Sequence, residues 1–205
     1  MPWIYSTINL YEPINGAAIL RKIEFAGRTC YRSFDKLSDD ITNTEKFIAN
    51  AINRGHESIL EHATITFQVI CSRDVLAQWT RHRLASYSVE SQRYCNYTKD
   101  KFDGFTFIMP EDVTEDMELE IRQAISEDVE HYNNLIAMGA KPEQARAVLP
   151  NCTKTEFIWT ANIREIRHFI KLRTAAGAQP DIVKLAIQLK ELLVQNNLGV
   201  LVQDI

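Results

Sequence analysis

Apolar positions recur at two periods along the chain, and the switch between them marks out the elements. From Gly16 to about Thr29, Ala17, Ile19, Leu20, Ile23 and Phe25 follow helical spacing, with Arg28 near the end of the run to complement the helix dipole. A second helix is predicted from about Asn43 to Arg54, with Phe47, Ile48, Ala51 and Ile52 inward and Gly55 as its stop. Residues 63–71 alternate Thr64, Thr66 and Gln68 against Ile65, Phe67 and Val69, the period of a half-buried strand. That strand runs into a helix opened by Ser72 or Asp74, whose Val75, Leu76 and Trp79 share a face while Gln78, Arg81 and His82 cluster on another.

Further along, the polar and serine-rich stretch from Leu84 to Tyr97 reads as a loop over a site. Residues 104–109 form a strand ended by Pro110. A long helix follows from about Thr114 to Met138, with Met117, Ile121, Ile125, Tyr132, Leu135 and Ile136 inward and Gly139 as its stop. Lys141 to Pro150 is a short helix, and residues 153–160 are a strand. Asn162 caps a helix with the buried stripe Ile163, Ile166, Phe169 and Ile170, and Pro180 opens a last helix apolar on more than one side. Residues 3–10 complete the list as a first strand. The pattern predicts an α/β (α+β) fold in which a small, mostly antiparallel central sheet is flanked by helices, as a single domain over residues 1–205 with a helical part.

Composition narrows the function. The chain has 205 residues, 45% of them hydrophobic, enough for a real core. A net charge of -4 argues against a general nucleic-acid binder, because positive charge is only local: Arg81, Arg83 and Arg93, and then Arg164, Arg167, Lys171 and Arg173. Such clusters suit a small anion such as a nucleotide. Cys30, Cys71, Cys95 and Cys152 have neither zinc spacing nor a C-x-x-C pair, and read as reduced thiols. With no signal-like or membrane-spanning run, the expectation is a cytoplasmic protein without a membrane partner.

Two local patterns carry candidate chemistry. In the octet from Gly55 to His62, Ser58 with Glu61 fits a capping box. His56 and His62 are six apart and diverge on a helix, which argues against a metal site. On the wheel of the helix after Asn162, Arg173 falls on the apolar side, between Phe169 and Ile166. A guanidinium there either snorkels at the helix end or points into a ligand pocket. A nucleotide- or RNA-binding regulator and a purely structural domain both remain compatible with these features.

Arg81-His82-Arg83, then seven residues, then Ser91 and Arg93, resembles the signature of the flavin-dependent thymidylate synthases, the ThyX family. The Gly55-to-His62 octet and Asn162-Ile163-Arg164 with His168 and Arg173 resemble two further segments of that family, in the same order, so the likeness spans about Arg28 to Gln179. The resemblance implies reductive methylation of dUMP to dTMP, with methylene-tetrahydrofolate as carbon donor, NADPH as reductant and bound FAD as hydride carrier. It implies a homotetramer with active sites between subunits. FAD would meet Ser58 of a neighbouring chain, Arg81, His82, Arg83, Val89, Asn162, Ile163, Arg164 and His168. Substrate would meet Gln78, Trp79, Thr80, Arg81, Glu90, Ser91, Gln92, Arg93, Arg146 and Arg173. Arg173 would be the catalytic residue, favouring ionisation of uracil at N3, and no metal is implied. Val89 stands where relatives often carry a glutamate or glutamine, and Gly177 and Pro180 also depart from the pattern. The sequence has no Gly-x-Gly-x-x-Gly, so a Rossmann-type phosphate turn is unavailable and arginines must do that work.

Overall fold

A computed structural model of the protein describes residues 1–99 and 104–205. In chain order the elements are β1 (Trp3–Ile4), β2 (Thr7–Leu10), α1 (Gly16–Tyr31), α2 (Ile41–Asn53), a 3-10 turn (Glu57–His62), β3 (Thr64–Ser72), α3 (Arg73–Trp79) and β4 (Ala85–Val89). Then follow β5 (Phe107–Ile108), α4 (Glu115–Ala137), α5 (Pro142–Ala145), β6 (Lys154–Asn162), α6 (Ile163–Arg173) and α7 (Pro180–Gln195). The chain divides into two compact units. The first holds residues 1–7, 69–81 and 88–157, and the second holds residues 8–68, 82–87 and 158–205.

The strands of the four-stranded sheet run in the order β2-β3-β6-β4. The β3–β6 pair is antiparallel, since Ile163 N donates to the Ala63 carbonyl and the Thr66 and Thr160 hydroxyls bond across the ladder at 2.9 Å. The predicted alternation is realised: Ile65, Phe67 and Val69 are buried. Phe67 stacks on Trp159 at 5.6 Å, and Trp159 meets Phe169 of α6 at 5.4 Å, so the sheet and α6 share one aromatic layer. Asp40 caps α2 by accepting from Thr42 N, and Gly55 takes a left-handed φ of 72° where that helix stops, a conformation that costs glycine nothing. Helices α1 and α2 pack together, and α6 packs on α7 and on the 3-10 turn.

In the first unit, Tyr97, Phe105, Phe107, Ile125, Tyr132 and Ala145 form the core, with Phe105 edge-on to Tyr132 at 5.0 Å. β1 and β5 pair in parallel, Trp3 opposite Phe107. Thr114, at the predicted start of α4, caps it through a bond from Met117 N, but Met117, expected inward, is exposed. It lies in the first turn, beyond the reach of the core that holds Ile125 and Tyr132.

Three further expectations are corrected. Residues 85–89, read as loop, form strand β4, because backbone pairing does not require apolar side chains and this edge strand keeps Ser86 and Ser88 in solvent. The helix expected to carry Arg81 and His82 ends at Trp79. The 3-10 turn begins at Glu57 with no side-chain cap, and the Glu61 carboxylate pairs instead with Arg164 Nη1 at 2.6 Å. A charge-assisted bond outcompetes a neutral cap for that carboxylate.

Candidate functional site

Helix α6 organises the charged side of the second unit. Asn162 opens it by accepting the Glu165 backbone N–H at 2.9 Å, as its sequence position predicts. Along the helix, Glu165, Phe169 and Arg173 stand at i, i+4 and i+8, hence on one face. Glu165 is buried, Phe169 fully so, and Arg173 partly.

His82 fits between the two charged ends of this stripe. Its Nδ1 lies 3.1 Å from Glu165 Oε1, and its Nε2 accepts from Arg173 Nε at 3.0 Å. The ring packs at 4.8 Å on Phe169 and at 5.4 Å on His168. The His82 carbonyl accepts the Tyr87 hydroxyl at 2.6 Å, which ties the backbone of the turn to β4. Burial, then the charges of Arg173 and His168, pushes the His82 pKa down to about 4. Burial likewise pushes the Glu165 carboxyl up, opposed by His168.

His82, Glu165 and His168 place ligand atoms within 4.8 Å of one another, a spacing that invites a metal reading. The bonding argues against it. His82 has no lone pair to offer, because Nε2 already accepts from a guanidinium and Nδ1 faces a carboxylate.

Beside this stripe lies a cleft of about 520 Å³ lined by Asn162, Arg164, His168 and Lys171, with Glu57 and Glu61 facing them. Glu57 and Arg164 also line a larger cleft of about 780 Å³ with Ser58, His56, Arg28 and Phe47. Thus Ser58 and Arg164, more than a hundred residues apart, reach one concavity within a single chain. Arg167 was grouped by sequence with the anion-binding cations, and here the grouping fails. It is buried, donates to the Leu201 carbonyl, pairs with both Asp204 oxygens at 2.8 Å, and meets Glu57 at 3.2 Å. That charge holds the last residues against α6.

The first unit carries the other candidates. Arg81 is exposed, as is Arg83 in the second unit, whereas His82 between them is buried. Trp79 is wholly buried edge-on to Phe157 at 5.5 Å, so it presents only backbone to a ligand. The same holds in the second unit for Ile163, also wholly buried, while Val89 is exposed. Glu90 bonds Lys154 Nζ and the Tyr97 hydroxyl, both at 2.9 Å, and its carbonyl accepts from Arg73. Lys154 was not singled out by sequence. Ser91 Oγ accepts from Arg93 N, and Arg93 Nε pairs with Glu143 at 2.8 Å on the surface. Thr80 and Arg146 are exposed, and Gln78 and Gln92 half-buried. Glu165 was missed as well. The signal for it was its place on the stripe that ends in Arg173.

Comparison with known proteins bears on the family and the fold. The family described as thymidylate synthase complementing protein matches residues 17–196. A flavin-dependent thymidylate synthase of Pyrococcus furiosus is 38% identical over 183 residues, covering 88% of this chain and 72% of that protein. One of Geobacter sulfurreducens is 36% identical over 178 residues, covering 83% and 75%. A probable flavin-dependent thymidylate synthase of Mycobacterium phage L5 is 38% identical over 177 residues, covering 81% and 72%. Across such curated relatives the chain matches from 63% to 75% of their length. Among solved structures, flavin dependent thymidylate synthase ThyX from Helicobacter pylori, complexed with FAD and dUMP, superposes with a TM-score of 0.77. That match covers 95% of this chain and 97% of the other at 24% identity, which speaks to the fold.

Proposed function

Since the chain belongs to the flavin-dependent thymidylate synthase family, we propose that it methylates dUMP reductively to dTMP, with methylene-tetrahydrofolate supplying the carbon, NADPH the electrons and FAD bound as their carrier. The observation that carries the reading is the Arg173 guanidinium, half-buried at the end of an apolar stripe and held through Nε by His82. Residues 1–205 act in this reading as one catalytic domain, since the matched stretch runs through both compact units.

The donor set fits a dinucleotide without a glycine-rich turn. Arg164 is half-exposed at the mouth of its cleft, and its partner Glu61 is also about half-exposed. Exposed ion pairs contribute little net stability, so a phosphate can take the guanidinium over. Asn162, His168 and Ser58 add further polar groups around the same clefts, and Arg81, His82 and Arg83 complete the flavin-binding set. When bound, the flavin supplies hydride transfer, a chemistry that no side chain offers. The family resemblance extends this to a homotetramer in which neighbouring copies share sites.

For dUMP, the chain offers Ser91, Arg93 and Arg146 to the phosphate, with Gln78, Gln92 and Glu90 as hydrogen-bonding groups and the backbone at Trp79, Thr80 and Arg81. Arg93 is held by Glu143 only in a surface pair that a dianion can displace. Arg173 then faces the uracil, where its charge lowers the N3 pKa and raises the nucleophilicity of C5. Attack by a cysteine is disfavoured. Burial pushes the Cys152 thiol up to about 11 and the Cys71 thiol higher still, so neither forms a thiolate readily at neutral pH.

The test is single-turnover oxidation of reduced flavin with dUMP and methylene-tetrahydrofolate in wild type, Arg173→Ala and Arg173→Lys. If the guanidinium lowers N3 by about two pKa units, alanine slows the reaction roughly a hundredfold. Lysine restores only part, because it lacks the planar fork. Wild-type rates in a folded, yellow alanine variant would refute the assignment of Arg173.

A further inference from the structure

The stripe on α6 has an acidic end as well as a basic one, and the two are joined through the same imidazole. Arginine only donates, so the Arg173 Nε–H at 3.0 Å requires a lone pair on His82 Nε2. A neutral imidazole with its lone pair there carries its proton on Nδ1. The group opposite Nδ1, Glu165 Oε1 at 3.1 Å, must then accept. Reversing the tautomer would set two N–H donors against each other at the Arg173 end. An ionised carboxylate can only accept, so Glu165 selects the one tautomer in which His82 Nε2 can accept from Arg173.

We propose that Glu165 is a positioning residue: it holds the proton of His82 on Nδ1, so that Nε2 anchors and aims the Arg173 guanidinium. The proposal rests on the reading of Arg173 as the group that meets the uracil ring. Phe169 beneath the imidazole and the Tyr87 hydroxyl on the His82 carbonyl keep the ring and its backbone in place, so the tautomer is the remaining freedom. The rival role for Glu165 is structural. A carboxylate in the first turn of a helix complements the dipole, and such a contribution is independent of Arg173.

A double-mutant cycle separates the two roles. Glu165→Ala should slow single-turnover methylation about tenfold while flavin content and melting temperature change little. In an Arg173→Ala background the same change should have no further effect, because the residue it acts through is gone. Multiplying effects would overturn the proposal in favour of a structural role, as would an unchanged rate in Glu165→Ala. Glu165→Gln keeps the volume and a carbonyl acceptor, and should retain more of the rate than alanine; an equal loss counts against positioning. If Arg173→Ala is itself fully active, the functional reading falls, and the ring nitrogens decide the positioning separately. In ¹⁵N spectra of the flavin-free chain, His82 should show a protonated Nδ1 in wild type and a proton shared between both nitrogens in Glu165→Ala. A protonated Nε2 in wild type, or unchanged spectra in the variant, overturns the proposal.

Discussion

Lowering the pH should destabilise the fold through His82 before the carboxylates contribute. Its folded-state pKa of about 4 lies below the ordinary 6.5, so the unfolded chain takes up a proton in the window between them and the folded chain does not. The sign follows: at neutral pH both states are unprotonated and the group contributes nothing, and stability falls as pH drops below about 6.5. At about 1.4 kcal/mol per pKa unit, the loss from about pH 7 to about pH 5 is roughly 2 kcal/mol, approaching about 3 kcal/mol near pH 4. The groups around the ring are Glu165, His168 and Arg173. Glu165, raised by burial, works in the opposite sense, since the folded state protonates it first as pH falls. Asp204 and Asp40, both lowered by hydrogen bonds, withdraw their stability only at lower pH, below the ordinary carboxylate range. Urea unfolding of wild type and His82→Gln across this range isolates the imidazole, because the other groups are common to both proteins. Wild type should lose about 2 kcal/mol more than the variant between about pH 7 and about pH 5. Parallel pH profiles would mean that His82 is protonated in the folded state, and the tautomer argument would go with it.

Cys152→Ala should leave dTMP formation intact and cost about 1 kcal/mol of stability for the lost packing; abolished turnover in a folded, flavin-loaded variant would make the thiol the nucleophile. Arg167→Met should lower stability by about 2 kcal/mol, less than a fully buried pair because Asp204 and Glu57 are about one-third exposed. A denaturant midpoint indistinguishable from wild type would show that the Asp204 clasp contributes nothing.

How much of this was legible in the sequence depends on the range of the interaction involved. The cap at Asn162, the alternation of β3 and the stop at Gly55 are set within a few residues, and they stand where the pattern places them. Residues 85–89 were misread because edge pairing leaves no hydrophobic trace. The Ser58–Glu61 box and the Arg167 cation were misread for one shared reason: a distant ion partner, Arg164 in one case and Asp204 in the other, claims the charge. Arg173 was legible in part, since a guanidinium on an apolar face demands a partner, although its partner could not be named. Glu165 shows what that demand contains. Two opposite charges at i and i+8 on one stripe stand two turns apart, about 12 Å at 1.5 Å per residue, too far to pair directly. The His82 imidazole, with a donor at one end and an acceptor at the other, spans that gap. Periodicity places the two charges on one stripe; only a fold that brings in a residue 83 positions away shows that His82 joins them.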